Sequence, residues 1–424
     1  MLLQFSVNNY RSIKDTATLS MLSSSKDNRN SFEIRKYKLL NTCVVYGANA
    51  SGKSNLLRAM SFMAKIILNK TKVIQSTDRL PHDPFRLNTS TDDSSSTFEI
   101  VFFINDVKYR YGFELDEKTV YSEWLYEDIK GKESKLFYRD ADTDDYVNPS
   151  KFKEGYSFFD NKKLKIKVSS NQLFLWVCDR QDEAVISKSI LKWFNSFNLI
   201  DGLDHGGFIN YTMKKMEDIT FKKEMIKLVK TADIGIEDIK VEEDDVPFEV
   251  IEKMPLPTDI KEEILKDGLK SISINTYHKK YDENNNLIGN EIFELDNEES
   301  VGTQKFFKMS APILDTLKEG KVLMVDELDA SLHPVLTNHL ISLFSNKKIN
   351  KKNAQLIFTT HDTNLLKPHI FKRDQIWFTE KDKFGSTTIY SMLEIKGVRA
   401  KDDFEKQYIQ GKYGAIPYLG KFEF

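Results

Sequence analysis

Apolar and polar positions alternate with period two over Leu2 to Asn8 and Thr16 to Leu22, which predicts two strands at the start of the chain. A third strand, Asn41 to Tyr46, is apolar almost throughout and runs into Gly47. The stretch Asn55 to Leu68 then repeats its apolar residues close to every 3.6 positions, the spacing of a helix with one buried face. After the polar spacer Ser90 to Ser96, period-two segments return at Thr97 to Ile104, Val107 to Leu115, Thr119 to Ile129 and Ser134 to Arg139. Turn residues such as Asn105-Asp106 separate them, so they predict an antiparallel β unit. From 181 to about 270 the pattern becomes mainly helical, over Ile186 to Phe197 and Tyr211 to Thr231. The acidic run Glu242 to Asp245 that follows reads as a solvated loop, with prolines at 255 and 257 beyond it.

The remainder alternates again. Ser271 to His278 and Asn290 to Asp296 predict strands, Gly302 to Leu317 a helix, Lys321 to Val325 an apolar strand, His333 to Phe344 a helix and Gln355 to Thr359 a strand. Buried strands alternating with helices imply a mainly parallel sheet, so the fold class is α/β with an antiparallel β subdomain and a helical insertion. Three zones result: 1–180, 181–270 as the mainly helical insertion, and 271–424.

Composition narrows the function classes. Of 424 residues, 40% are hydrophobic and 30% charged, which is enough apolar material for a packed core. Lys and Arg total 62 against 64 Asp and Glu, a net charge of -2 that excludes a protein held on nucleic acid by bulk positive charge. Any such contact must be local, and the lysine clusters at 161–167 and 346–352 read first as solvated faces. Cys43 and Cys178 both lie in apolar runs, as buried thiols do in a reducing compartment. Trp124, Trp176, Trp193 and Trp377 read as core anchors. The N-terminus lacks the pattern of a secretory signal and no apolar run spans a bilayer, so the expectation is a cytoplasmic protein with no membrane partner.

The chemistry is concentrated in three places. Gly47-Ala48-Asn49-Ala50-Ser51-Gly52-Lys53-Ser54 matches G-x-x-x-x-G-K-[ST], directly after an apolar strand and before a helix. Glycines let backbone N–H groups turn inward around phosphates and the helix N-terminus adds partial positive charge. Lys53 reaches the β- and γ-phosphates, and the Ser54 hydroxyl ligates Mg²⁺. The second place is the strand Lys321 to Val325, which ends in Asp326-Glu327. Consecutive acids at the C-terminal end of a buried strand suit a cation and a ligand there, with Asp326 holding Mg²⁺ and Glu327 deprotonating the attacking water. Alone, that pair is a weak signal, and the upstream loop is what makes it functional. The third is His361, at the end of the strand Gln355 to Thr359, where an imidazole can reach a γ-phosphate.

The order of these motifs, with Leu328-Asp329-Ala330-Ser331-Leu332-His333-Pro334 between the second and the third, resembles the ATP-binding-cassette ATPases of the SMC/RecF type. That resemblance implies an ABC-type ATPase head: an N-terminal ATPase lobe over 1–180 and a C-terminal lobe over 271–424. It implies a signature motif, matched by Glu299-Ser300-Val301-Gly302-Thr303, where Ser300 and Gly302 agree with the family pattern and Glu299, Val301 and Thr303 depart from it. It further implies a homodimer, or a higher assembly of such dimers, bridged by two ATP molecules, each between one chain's Lys53 loop and the other's Ser300 helix. Asp329 would be the D-loop aspartate and His361 the switch histidine, while Asn55 extends the phosphate loop. For the Q-loop, Gln181 is the candidate.

Within that superfamily the chain resembles the bacterial phage-defence ATPases of the RloA and AbiL type. The carrying segments are Phe5 to Ser12, Tyr46 to Leu56 and Gln407 to Pro417. This implies a separately encoded effector partner. The related OLD-type proteins carry a TOPRIM nuclease domain, but no Glu plus Asp-x-Asp constellation follows His361, so ATPase activity without nuclease activity is expected. A DNA repair or recombination ATPase would share every motif, which leaves DNA open as a partner.

Overall fold

The computed structural model describes all residues except 25–28, 74, 142–144, 161–162, 165–167, 202–207, 233–234, 256, 258–260, 262–263, 265–269 and 418–424. The chain forms two compact units. The first comprises Met1–Leu203, Thr316–Ala330 and Thr337–Phe424, and the second Asp204–Asp315 with Ser331–Leu336.

The first unit holds two large sheets. One has six strands in the spatial order Phe197–Asp201, Val322–Asp326, Gln355–Thr359, Thr42–Gly47, Ile376–Lys381 and Thr387–Ser391. Neighbours are parallel except the last pair, which is antiparallel. The strands Thr42–Gly47, Val322–Asp326 and Gln355–Thr359 are buried at every position, which is why each reads as a near-continuous apolar run with polar residues only at its ends. The other sheet is antiparallel and seven-stranded, with Leu2–Asn8 and Ala17–Ser20 joined to Ser96–Ile104, Val107–Leu115, Val120–Asp128, Glu133–Asp140 and Tyr146–Val147. Its alternation puts Phe98, Tyr111, Phe113 and Phe137 into the core that also seats Leu56, Met60 and Met63 of the helix Lys53–Ile67. The α/β class with an antiparallel subdomain therefore holds.

Several elements differ from the pattern reading. Within 181–270, helices do form at Ile186–Phe194, Ile209–Met216, Ile219–Val229 and Phe248–Lys253. Phe197, however, opens a strand that pairs with Val322–Asp326. The long helix expected over Tyr211 to Thr231 is two helices, because the Asp218 side chain accepts from the amides of Thr220 and Phe221 and starts a new one. The acidic run is no loop: Glu242 to Asp245 end the strand Ile236–Asp245, paired with Lys270–Tyr281, and Asn275 and Tyr277 donate to the Glu242 carboxylate.

The second unit combines that three-stranded sheet, closed by Leu287–Glu294, with helices. Thr212 Oγ1 donates to Lys308 O at 2.9 Å and Lys215 Nζ pairs with Asp315 at 2.7 Å, which fixes Ile209–Met216 on the helix Val301–Glu319. Both cysteines are free and buried. Trp176 and Trp377 are buried and Trp193 stacks on Phe102. Most of the lysine cluster 161–167 lies outside the described residues, while Lys347, Lys348, Lys351 and Lys352 are exposed. Among the described residues no helix is long and apolar enough to cross a membrane.

Candidate nucleotide-binding site

The strand Thr42–Gly47 delivers the chain to the C-terminal edge of the parallel sheet, where Gly47 begins the loop and Lys53 opens the helix. Two glycines there are dictated by geometry. Gly52 has φ +104°, and a Cβ on it would overlap Thr387, while a Cβ on Gly47 would overlap Ser51 and Thr379. Ala50 also takes positive φ, at 60°, with Asn49 and Ala50 exposed at the tip.

Hydroxyls from distant strands hold the loop. Ser51 Oγ lies 2.6 Å from Thr379 Oγ1, and Thr387 Oγ1 donates to Ser51 O at 2.9 Å. Asn55 Nδ2 donates to Ser12 Oγ at 2.7 Å and the Thr387 amide donates to Ser12 O at 2.7 Å. Ser12 is presented by a tight turn in which Asn9 has positive φ and its side chain binds the backbone of Phe85, Thr91, Ser94 and Ser95. Ser12, Thr359, Thr379 and Thr387 were not among the residues the motifs single out. Ser12 alone carried a signal, because it closes the opening run Phe5 to Ser12.

Lys53 Nζ donates to Gly47 O at 2.9 Å and Ala48 O at 3.1 Å. Burial holds its ammonium below the ordinary lysine value, and the negative charges of Glu327, Asp326 and Asp329 oppose that fall. The carboxylates come from the neighbouring strand system: Gln355–Thr359 lies between Thr42–Gly47 and Val322–Asp326. Thr359 Oγ1 donates to Asp326 Oδ1 at 2.6 Å and accepts from the Glu327 amide at 2.8 Å. Glu327 sits at φ +51°, an uncommon conformation for a non-glycine residue and one found at functional sites. Asp329 Oδ2 accepts from the His361 amide at 3.3 Å, while its buried Oδ1 has no hydrogen-bond partner among the described residues. Tyr46 OH donates to Asp362 O at 2.9 Å, which ties the segment after His361 to the loop strand. His361 is held below the ordinary imidazole value, first by burial and then by the Lys53 cation.

The structure thus brings Lys53, Asp326, Glu327, Asp329 and His361 into one electrostatic neighbourhood. An inward-turned loop at a helix start beside a buried aspartate and a hydroxyl is the donor set that suits a polyphosphate with a hard divalent cation. Ser54, half-buried in the first turn, and Asp326 fit that cation by chemistry.

In the second unit, Ser300 caps the helix Val301–Glu319: its Oγ accepts from the Thr303 amide at 3.1 Å and its carbonyl from the Gln304 amide at 2.9 Å. A Cβ on Gly302 would come to 3.0 Å of Ser331 O, so only glycine lets the two backbones approach without adjustment. Gln181, the Q-loop candidate, donates instead to Glu154 O at 2.5 Å and Ser157 Oγ at 2.8 Å.

Comparison with solved structures finds an SMC head bound to the C-terminal winged-helix domain of ScpA, at 11% identity and TM-score 0.45, covering 92% of this chain and 97% of that one. The SMC head domain from Thermotoga maritima matches at 14% identity and TM-score 0.42, covering 92% and 98%. The recombination mediator RecF matches at 14% identity and TM-score 0.34, covering 92% and 98%. Comparison with curated proteins finds no match. Residues 43–367 match the family described as "AAA domain, putative AbiEii toxin, Type IV TA system", a span that runs from the loop strand past His361. The charged residues of the site, from Lys53 to His361, therefore lie within a shared family domain, and the chain belongs to this family of AAA domains.

Proposed function

We propose that this chain is an ATP-hydrolysing ABC-type ATPase that closes as an ATP-bridged homodimer and controls a separately encoded effector in anti-phage, abortive-infection defence in the cytoplasm. The observation that carries the ATPase reading is the gathering of Lys53, Asp326, Glu327, Asp329 and His361 around one phosphate-type loop. The defence reading is supported by the resemblance to RloA- and AbiL-type ATPases and by the toxin–antitoxin wording of the family description.

In this mechanism the amides of Gly47 to Ser54 wrap the phosphates and Lys53 leaves its loop carbonyls to pair with the β- and γ-phosphates. Ser54 and Asp326 would hold Mg²⁺, which would supply neutralisation of the phosphate charge. Glu327 accepts a proton from the water attacking the γ-phosphate in line, and neutral His361 donates a hydrogen bond toward that phosphate. The partner subunit's Ser300 and Gly302 add helix-terminal donors across the dimer, with Asp329 at the same junction.

The test is light-scattering mass together with phosphate release, with and without ATP and Mg²⁺, for wild type and Glu327→Gln. The reading expects ATP to produce a dimer that the variant forms but does not leave, with turnover abolished. Wild-type turnover in Glu327→Gln removes the assigned base. Strong stimulation by double-stranded DNA or its ends would move the function to DNA repair or recombination.

A further inference from the structure

The residue before Ser300 is the place where this chain departs most in chemistry from the signature pattern it resembles. An acid, Glu299, stands where that pattern has leucine, and its side chain is only 6% exposed. A carboxylate withdrawn from water is costly unless several donors meet it. Here they do: His278 Nε2 lies 2.7 Å from Glu299 Oε1, and Thr276 Oγ1 donates to the same oxygen at 2.5 Å. A carboxylate only accepts, so the His278 proton in this contact is on Nε2. Both donors come from the middle of the strand Lys270–Tyr281, and the His278 ring rests on Phe293 of the next strand with centroids 4.7 Å apart.

The backbone of the same turn is fixed from the other side. Gln304 Nε2 donates to Glu299 O at 3.0 Å, and Glu299 is extended at φ -88° and ψ 153° before the chain enters the helix capped by Ser300. Glu299 is therefore held by its side chain to the sheet and by its carbonyl to the helix, with Ser300 next in line.

We propose that Glu299 is a positioning residue that, through His278 and Thr276, holds the Ser300 turn in the geometry needed to complete the nucleotide site of the partner subunit. The proposal rests on the reading of Ser300 given under the proposed function. A group that acts in trans leaves its own chain's phosphate loop intact, and this separates positioning from a general effect on folding.

The experiment uses full-length Glu299→Ala, Glu299→Gln, Ser300→Ala and Lys53→Ala, alone and mixed. Glu299→Ala is expected to bind ATP with wild-type affinity, because Gly47 to Ser54 are untouched, yet to lose about 100-fold in turnover, the scale of a misplacement of about 1 Å. Glu299→Gln keeps an acceptor oxygen for both donors and is expected to stay within a few-fold of wild type. Mixing Glu299→Ala with Lys53→Ala creates heterodimers in which one of the two sites has both elements intact, so turnover should rise about tenfold or more above either variant alone. Wild-type turnover in Glu299→Ala overturns the proposal. So does recovery with the Ser300→Ala and Lys53→Ala mixture but not with the Glu299→Ala mixture, since Glu299 would then act only within its own chain. Recovery in neither mixture overturns the trans reading of Ser300 itself, and this inference with it.

Discussion

Thr359 gives its hydroxyl proton to Asp326 Oδ1 at 2.6 Å while the same oxygen accepts the amide of Glu327 at 2.8 Å. One buried side chain on the adjacent strand thus sets the carboxylate of one acid and the left-handed backbone of the next. Thr359→Val preserves volume and removes both bonds, leaving a buried amide and a carboxylate oxygen without that partner. The loss should cost about 2 kcal/mol of stability, because hydrogen bonds to charged groups are the stronger ones. Turnover should fall at least about tenfold with ATP still bound, since Glu327 and not Lys53 loses its support. Denaturant unfolding and phosphate release check the two halves separately.

Gly52 predicts a coupling between residues far apart in sequence. Its φ of +104° strains any other residue, and an added Cβ would also overlap Thr387. Gly52→Ala should therefore destabilise by the backbone term, about 1 to 2 kcal/mol, plus the overlap. Thr387→Ala relieves only the overlap. A double-mutant cycle in urea should show favourable coupling of about 1 kcal/mol, with the backbone cost persisting in the double variant.

How much of this was legible in the chain depends on how local each requirement is. Gly47 to Ser54 stand out because a strand, a turn and a helix start must be contiguous, and Asp326-Glu327, a weak signal alone, gain their meaning from that loop upstream. Thr359, Thr379 and Thr387 do not stand out, since a threonine in a strand suits a surface as well as a site. The partnership of Ser51 with Thr379 crosses 328 positions of sequence. The strands Ile376–Lys381 and Thr387–Ser391, which supply two of these hydroxyls, lie outside the elements that the pattern predicts. Phe197 follows Trp193 and Phe194 at helical spacing, so only its pairing with Val322 reveals a strand. Glu242 to Asp245 look solvated because Glu242 does face polar partners, Asn275 and Tyr277, and the ladder to Lys270–Tyr281 decides the conformation.

His361 sets the expected pH response. Burial, then the Lys53 cation, hold its imidazole below the ordinary 6.5, against the pull of Asp329, Glu327 and Asp326. The unfolded chain therefore takes up this proton at a higher pH than the folded one. Its contribution to stability is complete above pH 6.5 and is lost as pH falls toward the lowered folded value. The ring should accordingly be neutral at pH 7 and able to donate toward a phosphate without carrying charge. Lys53→Ala removes the neighbouring cation, so the His361 ring titration followed by NMR should move upward. An unchanged midpoint would mean that burial alone sets it.

Gln181 offers the contrary case, a residue whose geometry argues against the Q-loop role that the resemblance implies. Its amide nitrogen is engaged by Glu154 O and Ser157 Oγ on the short helical turn Lys153–Tyr156 and the residue after it. Glu154 in turn accepts from the amides of Val185, Ile186 and Ser187, so Gln181 supports the start of the next helix. A side chain fixed by two partners would have to break both to reach a nucleotide. Gln181→Ala should leave turnover within about twofold while lowering stability by about 1 kcal/mol, the net value of such a bond. Loss of turnover at unchanged stability would place Gln181 in the nucleotide site after all, and would require the turn at Glu154 to release it when ATP binds.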